Sequence, residues 1–258
     1  MGQALGMSGA ELISRRDGGV LHLQLNRPDK GNALSSTLVN ALTEAIEAAA
    51  RDEHLRLLVL SGAGRHFCTG FDLSNLDIET DDSLLARFVR VELLLQAVHA
   101  APFTTLALAH GHTMGAGADL FAACDERWIV GDAQFAFPGA GFGLVLGTAR
   151  LAGLVGASHA AEWIEGGKTI DADAACAGGL ATRCIDAQAL DDECDRLRQR
   201  VSRLDPATQR AIHTAIGAGQ HSRGPTGDTE DLARLVRSAA RPGLRDRIAA
   251  YRAAMRKA

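Results

Sequence analysis

The chain has 258 residues, a formal net charge of −4, 47% hydrophobic and 22% charged residues, proportions that suit a globular protein with a sizeable core. With no basic excess and 4% aromatic residues, neither a nucleic-acid footprint nor a base-stacking platform is expected. No apolar run nears the roughly 20 residues of a membrane span, and no secretory signal pattern opens the chain. The five cysteines, at 68, 124, 176, 184 and 194, show neither CxxC nor metal-ligand spacing. A cytoplasmic protein with reduced thiols and no metal is the expectation.

In chain order, Val20 to Leu25 alternates apolar and polar residues as a half-buried strand does, and Asn26-Arg27-Pro28-Asp29 ends it. Ser35 to Ala50 predicts an amphipathic helix with Leu38, Leu42, Ala45, Ile46 and Ala49 on one face and Ser35 or Ser36 as cap. Leu57 to Leu60 reads as a short buried strand, followed by a turn at Ser61-Gly62-Ala63-Gly64. The acidic stretch Asp77 to Asp82 reads as solvated and mobile, and Leu84 to His99 as a helix. Thr104 to Ala109 is the next buried strand, followed by a helix from Ala118 to Cys124, a strand at Arg127 to Val130 and the segment Gln134 to Pro138. Strands alternating with helices argue for an α/β fold with a mainly parallel sheet. Gly139 to Gly147 resists assignment; from Thr148 the chain is mostly helical, with breaks at Gly166-Gly167, Gly178-Gly179 and 217–228. This divides it into a core over residues 1–190 and a helical region, 191–258, that packs on the core or on a neighbouring subunit.

The stretch with most chemical content is His110-Gly-His-Thr-Met-Gly-Ala-Gly-Ala-Asp119. Three small residues, Gly115, Ala116 and Gly117, precede a helix whose first N–H groups have no internal partner and carry the positive end of the helix dipole. Such groups suit a carbonyl oxygen that becomes negative during reaction. Asp119, three positions after Ala116, returns to the same side. It reads as an acid/base, or more plainly as a helix cap or ion-pair partner. His110 and His112 read first as structural, Cys68 as an inert thiol, and Asp125 as a loop anchor. His66 lies where a cofactor tail could be touched.

Four ordered blocks between about Val20 and Ile185 resemble the crotonase superfamily, the enoyl-CoA hydratase/isomerase family. Leu25-Asn-Arg-Pro-Asp-Lys-Gly-Asn-Ala-Leu34 resembles its first CoA-contacting loop, and Phe67-Cys-Thr-Gly-Phe-Asp-Leu73 its F-x-A-G-x-D-L segment. The 110–119 stretch resembles its N-G-x-x-x-G-G-G-x-E helix start, and Glu162 through Leu180 a further glycine- and alanine-bearing block. The resemblance implies a ββα spiral core with a helical C-terminal trimerisation region, and a homotrimer or dimer of trimers. It also implies an acyl- or enoyl-CoA thioester substrate, with no cofactor beyond its CoA moiety. The oxyanion hole would be the N–H groups of Phe71 and Ala116, with Asp119 as acid/base. CoA contacts would come from Arg27, Lys30, Asn32, Ala33, Thr69, Phe71, Asp72 and Leu73. The helix containing Phe88, Val91 and Leu95 would line the acyl pocket.

Two departures bear on the reaction. Asp119 stands where family hydratases carry the longer Glu, and Gly139 stands where they carry a second acid after the proline. Hydration uses both carboxylates, one to orient water and one to manage the α-proton. The resemblance therefore implies enolate chemistry of a hydratase or isomerase type, with two-carboxylate hydration in doubt. Thioester hydrolysis, decarboxylation and a non-catalytic CoA-ester-binding subunit are the alternatives. Ser74-Asn75 follows Leu73 where the family often has a lysine.

Overall fold

The computed structural model describes residues 10–219 and 225–256. Six strands form one sheet in chain order: β1 (Leu12–Asp17), β2 (Val20–Leu25), β3 (Leu57–Gly62), β4 (Thr104–Met114), β5 (Glu126–Ala136) and β6 (Arg183–Ile185). β1 and β2 make an antiparallel hairpin; every later pair is parallel. β1 carries Ser-Arg-Arg-Asp over most of its length and is largely exposed, so it lacks the apolar alternation that identifies β2. The first four residues of β3 are all buried, as befits a parallel strand covered on both faces.

The crossover helices α1 (Ser36–Arg51), α2 (Asp81–His99) and α3 (Ala116–Ala122) link successive parallel strands, and α4 (Thr148–Glu165) with α5 (Ala172–Ala177) precedes β6. Ser35 caps α1 by accepting from the Leu38 N–H at 3.0 Å. In α1, Leu38, Leu42 and Ile46 enter the main core with Leu23, Leu58, Leu60, Phe67 and Phe135. α4 is kinked at Gly156, whose φ of 80° breaks the helical path.

Several boundaries differ from the sequence expectation for identifiable reasons. α2 starts at Asp81, because Thr80 and Ser83 form a reciprocal cap and two acidic residues occupy the first turn. The stretch expected to be solvated and mobile is thus partly helix. Its Asp81 carboxylate accepts from the N–H groups of Gly243 and Arg245, both at 2.8 Å, tying α2 to the C-terminal region. β4 runs through the conspicuous glycine motif to Met114, with an irregularity between Ala109 and Gly111. Gly111 has φ 55°, and a side-chain carbon there would lie 2.0 Å from the Arg65 carbonyl oxygen. α3 begins at Ala116, two residues earlier than the apolar run suggests.

The cysteine expectation is corrected. Cys176 and Cys184 form a disulfide; Cys68, Cys124 and Cys194 are free. The turn at Gly178-Gly179 folds the end of α5 back toward β6 and closes a bond across eight positions, which a search for CxxC spacing does not see.

Four helices follow: α6 (Leu190–Val201), α7 (Pro206–Gly219), α8 (Pro225–Ala239) and α9 (Leu244–Met255). Leu235 of α8 and Leu244 and Ile248 of α9 pack with Leu84, Phe88 and Leu144, so this region covers its own chain's core. Beneath that contact Arg150 of α4 makes a two-pronged pair with Glu92 of α2, at 3.0 and 2.6 Å, and lies 3.5 Å from Asp231 of α8. The side chains of Arg150 and Glu92 are each 1% exposed. Breaking such a pair strands a buried charge. Arg150→Met should therefore lower the unfolding free energy by about 3–5 kcal/mol in urea titrations; a loss below about 1 kcal/mol would show that the pair does not hold α2, α4 and α8 together.

Candidate active site

The site is built where the loop after β3 crosses the end of β4. Met114 donates its N–H to the Cys68 carbonyl at 2.9 Å, and Leu34 donates to that of Gly70 at 2.7 Å. The crossing is so close that a side-chain carbon on Gly70 (φ 96°) would lie 2.6 Å from the Met114 carbonyl oxygen and 3.5 Å from the Ala116 nitrogen. One on Gly117 would lie 2.3 Å from the Cys68 carbonyl oxygen. Glycine is the residue these positions accept. Gly115 satisfies its own N–H on the Ala136 carbonyl at 2.8 Å and then turns the chain into α3. Among the described residues, the N–H groups of Phe71 and Ala116 have no acceptor. Both residues line one pocket, which encloses about 750 Å³ open to solvent.

Asp119 lines the same pocket and is 5% exposed. Its carboxyl lies against the start of α4: a side-chain carbon on Gly147 (φ 62°) would meet an Asp119 oxygen at 2.2 Å. No hydrogen bond reaches the carboxyl among the described residues. Burial pushes its pKa well above the usual carboxylate range; the Arg150 charge pulls it back, and Glu92 pushes it up again. Of the two opposing influences, desolvation and positive charge, desolvation wins. The surroundings explain why, since Arg150 already serves Glu92 and Asp231.

Gly139 also lines the pocket. A side-chain carbon there would meet nothing closer than Leu144 at 3.7 Å, an ordinary contact, so the backbone at this position has room for the first carbon of a side chain. The remaining wall is apolar, with Phe88, Phe137, Phe142, Leu144 and Leu146, plus Tyr251 and Arg252 from α9. Of the helix expected to line the acyl pocket, Phe88 does so, stacked on Phe71 with ring centres 4.1 Å apart. Val91 and Leu95 belong to the core.

The residues expected around CoA fall into two groups. Thr69, Phe71 and Leu73 line the pocket, and Lys30 is exposed beside it, its carbonyl 3.4 Å from the Thr69 hydroxyl. Arg27, Asn32 and Asp72 are occupied internally. Arg27 pairs with Glu11 at 3.0 Å and Asp72 at 2.8 Å. Asn32 is fully buried and donates to the carbonyls of Ala63 and His66 at 2.8 and 2.7 Å. Ala33 is buried, its carbonyl accepting from Arg27. Burial opposes ionisation of Asp72, but hydrogen bonds from Ser74 and the Arg27 charge outweigh it and hold its pKa low. Arg27, Asn32 and Asp72 thus shape the loop rather than offering free side chains.

His66 stacks on His112 at 4.6 Å and accepts from its backbone N–H at 3.0 Å, and His110 contacts the Gly64 carbonyl at 3.0 Å. None of the three lines the pocket. Asp125 anchors its loop, accepting from the N–H and hydroxyl of Thr105, both at 2.9 Å. Cys68 is inert, burial pushing its thiol up to about 12. Sequence reasoning missed Arg150, Glu92 and Asp231 beneath Asp119, and Tyr251 and Arg252 in the wall. Glu92 did leave a signal, as a lone charge within Val91-Glu-Leu-Leu-Leu95.

Comparison with known proteins matches residues 15–243 to the profile of the enoyl-CoA hydratase/isomerase family. The "Probable enoyl-CoA hydratase echA6" of Mycobacterium tuberculosis (strain CDC 1551 / Oshkosh) is 37% identical over 185 residues, covering 69% of this chain and 73% of its own. The mitochondrial Delta(3,5)-Delta(2,4)-dienoyl-CoA isomerase of Mus musculus is 31% identical over 220 residues, covering 79% and 67%. The crystal structure of a Bordetella parapertussis protein assigned to enoyl-CoA hydratase/isomerase superposes with a TM-score of 0.89 at 41% identity, covering 95% of this chain and 99% of that one.

The raised Asp119 pKa has a consequence for stability. Below the unfolded value near 4 both states hold the proton. Above it the native state keeps the proton longer, so stability falls as pH rises toward the native value. Asp119→Asn removes that fall. Its stability relative to wild type should grow by up to about 1.4 kcal/mol per pH unit above about pH 4, read from urea titrations across pH 4–8. Parallel curves would contradict the assignment.

Proposed function

The chain belongs to the enoyl-CoA hydratase/isomerase family, the crotonase superfamily, and from that premise we propose that it moves a double bond within an enoyl-CoA thioester through an enolate, using one carboxyl group. The observation that carries this reading is that Asp119 is the only carboxyl lining the pocket among the described residues. Hydration needs a second group to orient water; migration of a double bond needs one base that takes a proton and returns it.

In this proposal the thioester oxygen sits between the N–H groups of Phe71 and Ala116. Each donor contributes about 3–4 kcal/mol as negative charge develops on that oxygen. The Asp119 carboxylate takes a proton from the α-carbon of a 3-enoyl thioester, the electrons pass to the oxygen, and the carboxylic acid returns the proton to the γ-carbon. The product is the conjugated 2-enoyl thioester, with no atom gained or lost. A raised pKa makes Asp119 a stronger base once ionised, which suits a weakly acidic C–H. Thr69, Phe71, Leu73 and the Lys30–Ala33 loop would hold the CoA portion, with Lys30 as the exposed cation for a phosphate and Arg27, Asn32 and Asp72 as the frame beneath it. We expect a homotrimer or dimer of trimers in the cytoplasm. Among the described residues no helix is long and apolar enough to cross a membrane.

The test is turnover of 3-enoyl-, 2-enoyl- and dienoyl-CoA by wild type and Asp119→Asn, followed by absorbance of the conjugated ester. Wild type should isomerise the 3-enoyl ester, with kcat/KM rising with pH as Asp119 ionises. Asp119→Asn should lose about 10²–10⁴ in kcat with KM little changed. Unchanged turnover in the variant would remove the acid/base assignment. Tight binding without turnover of any ester would replace the reading with a CoA-ester-binding subunit.

A further inference from the structure

Arg87 of α2 stands outside the pocket wall, and nothing in the reaction above uses it. Its guanidinium makes three contacts. Nη2 donates to the Asp72 carbonyl at 2.8 Å, Nη1 pairs with the Glu79 carboxylate, and the central carbon lies 4.2 Å from the centre of the Phe71 ring. Glu79 is held in turn by the Ser83 hydroxyl, a member of the reciprocal cap that starts α2. The acidic stretch that reads as solvated in the sequence thus supplies the carboxylate that orients Arg87.

These contacts bear on the direction of one N–H. In a trans peptide unit the carbonyl and the N–H point in opposite directions within one plane. The Gly70 carbonyl and the Phe71 N–H share a unit, so the bond from Leu34 to that carbonyl at 2.7 Å turns the N–H away from Leu34. The next unit is held where the Asp72 N–H donates to the Leu34 carbonyl at 3.2 Å. The third, which carries the Asp72 carbonyl, is held by Arg87. Behind Phe71 lies a small cleft of about 180 Å³, part of it open to solvent, lined by Leu34, Val39, Arg87 and Val91 among others. Close packing therefore does not wedge the ring in place on that side. Its ring partners are Phe88, stacked at 4.1 Å, and the Arg87 cation. Ring and carbonyl lie on either side of the Phe71 backbone torsions, and one guanidinium touches both.

We propose that Arg87 is a positioning residue for the oxyanion hole: it holds the Phe71 ring and the Asp72 carbonyl so that the Phe71 N–H stays aimed at the thioester oxygen. The assignment rests on the thioester reading above, and its first readout needs a bound ester but no proton transfer. Butyryl-CoA labelled with ¹³C at the thioester carbon is bound to wild type, Arg87→Met, Arg87→Lys and Glu79→Gln, and the infrared stretch of its carbonyl is recorded. Exchange of the α-protons of the same ester with deuterated water then gives kcat and KM.

Wild type should lower the stretch relative to the free ester in water. Arg87→Met should return it at least about halfway to the free value and lower kcat about 10-fold or more, with KM within about threefold; loss of a whole donor costs about 10²–10³. Arg87→Lys keeps a cation beside the ring and should regain part of both effects. Glu79→Gln leaves the arginine without its carboxylate and should move both readouts less, in the same direction as Arg87→Met. An unmoved stretch and rate in Arg87→Met overturn the proposal, as does a change confined to KM. So does an Arg87→Met that fails to fold while Arg87→Lys and Glu79→Gln match wild type, which would make the arginine a support of the fold alone. Wild type that binds no ester would remove the thioester reading and this one with it. Binding with the lowered stretch but no turnover of any enoyl ester would remove only the isomerase reading.

Discussion

Everything at the candidate site depends on one close backbone crossing. The chain at Cys68–Gly70 passes over the end of β4 and the start of α3 at distances that leave no room for a side-chain carbon on Gly70 or Gly117. The hydrogen bonds between Met114 and Cys68 and between Leu34 and Gly70 hold that crossing, leaving the N–H groups of Phe71 and Ala116 without partners among the described residues. A buried N–H without a partner is unfavourable, and in the proposed reaction the thioester oxygen, as it gains charge, supplies the missing acceptor. The sheet, the crossover helices and the Arg27–Asp72 frame can all be seen as support for that geometry.

A second constraint is charge balance. In the cluster beside the pocket, Arg150 faces Glu92, Asp231, Asp228 and Asp119, while Arg234 pairs Asp231 at 2.7 Å from its exposed side. Glu92 holds both prongs of the guanidinium, so Asp119 receives the charge only at a distance and loses more to desolvation than it gains. Asp119, which lines the pocket, is thus left with its pKa raised well above the usual carboxylate range. Packing of α2, α4 and α8 and the ionisation of Asp119 are therefore linked through one arginine, whose removal would disturb both.

Where burial imposes a pattern on the chain, the sequence carries it. Val20–Leu25, Leu57–Leu60 and Thr104–Ala109 announce themselves through their apolar faces, and Ser35 as a cap marks α1. Phe71, Ala116 and Asp119, separated by up to 48 positions, belong to one site by motif order, and all three line one pocket. What stayed hidden depends on contacts between distant segments. β1 is too polar to stand out alone and exists because β2 pairs with it. The Cys176–Cys184 bond needs a turn whose geometry is not written in the spacing. Arg27 and Asn32 have residue types suited to a ligand, but tertiary partners consume their side chains. Tyr251 and Arg252 reach the pocket only because α9 folds back, anchored by Asp81, over the chain's own core.

In the proposed reaction one carboxyl group, working against an oxyanion held by two backbone N–H groups, forms an enolate from a CoA thioester. Exchange of the α-protons of a saturated acyl-CoA with deuterated water, followed by proton NMR, measures that step without any later chemistry. Wild type should catalyse the exchange, and Asp119→Asn should slow it by about 100-fold or more. Equal exchange rates in the two proteins, or none in wild type with the ester bound, would rule out enolate formation by Asp119.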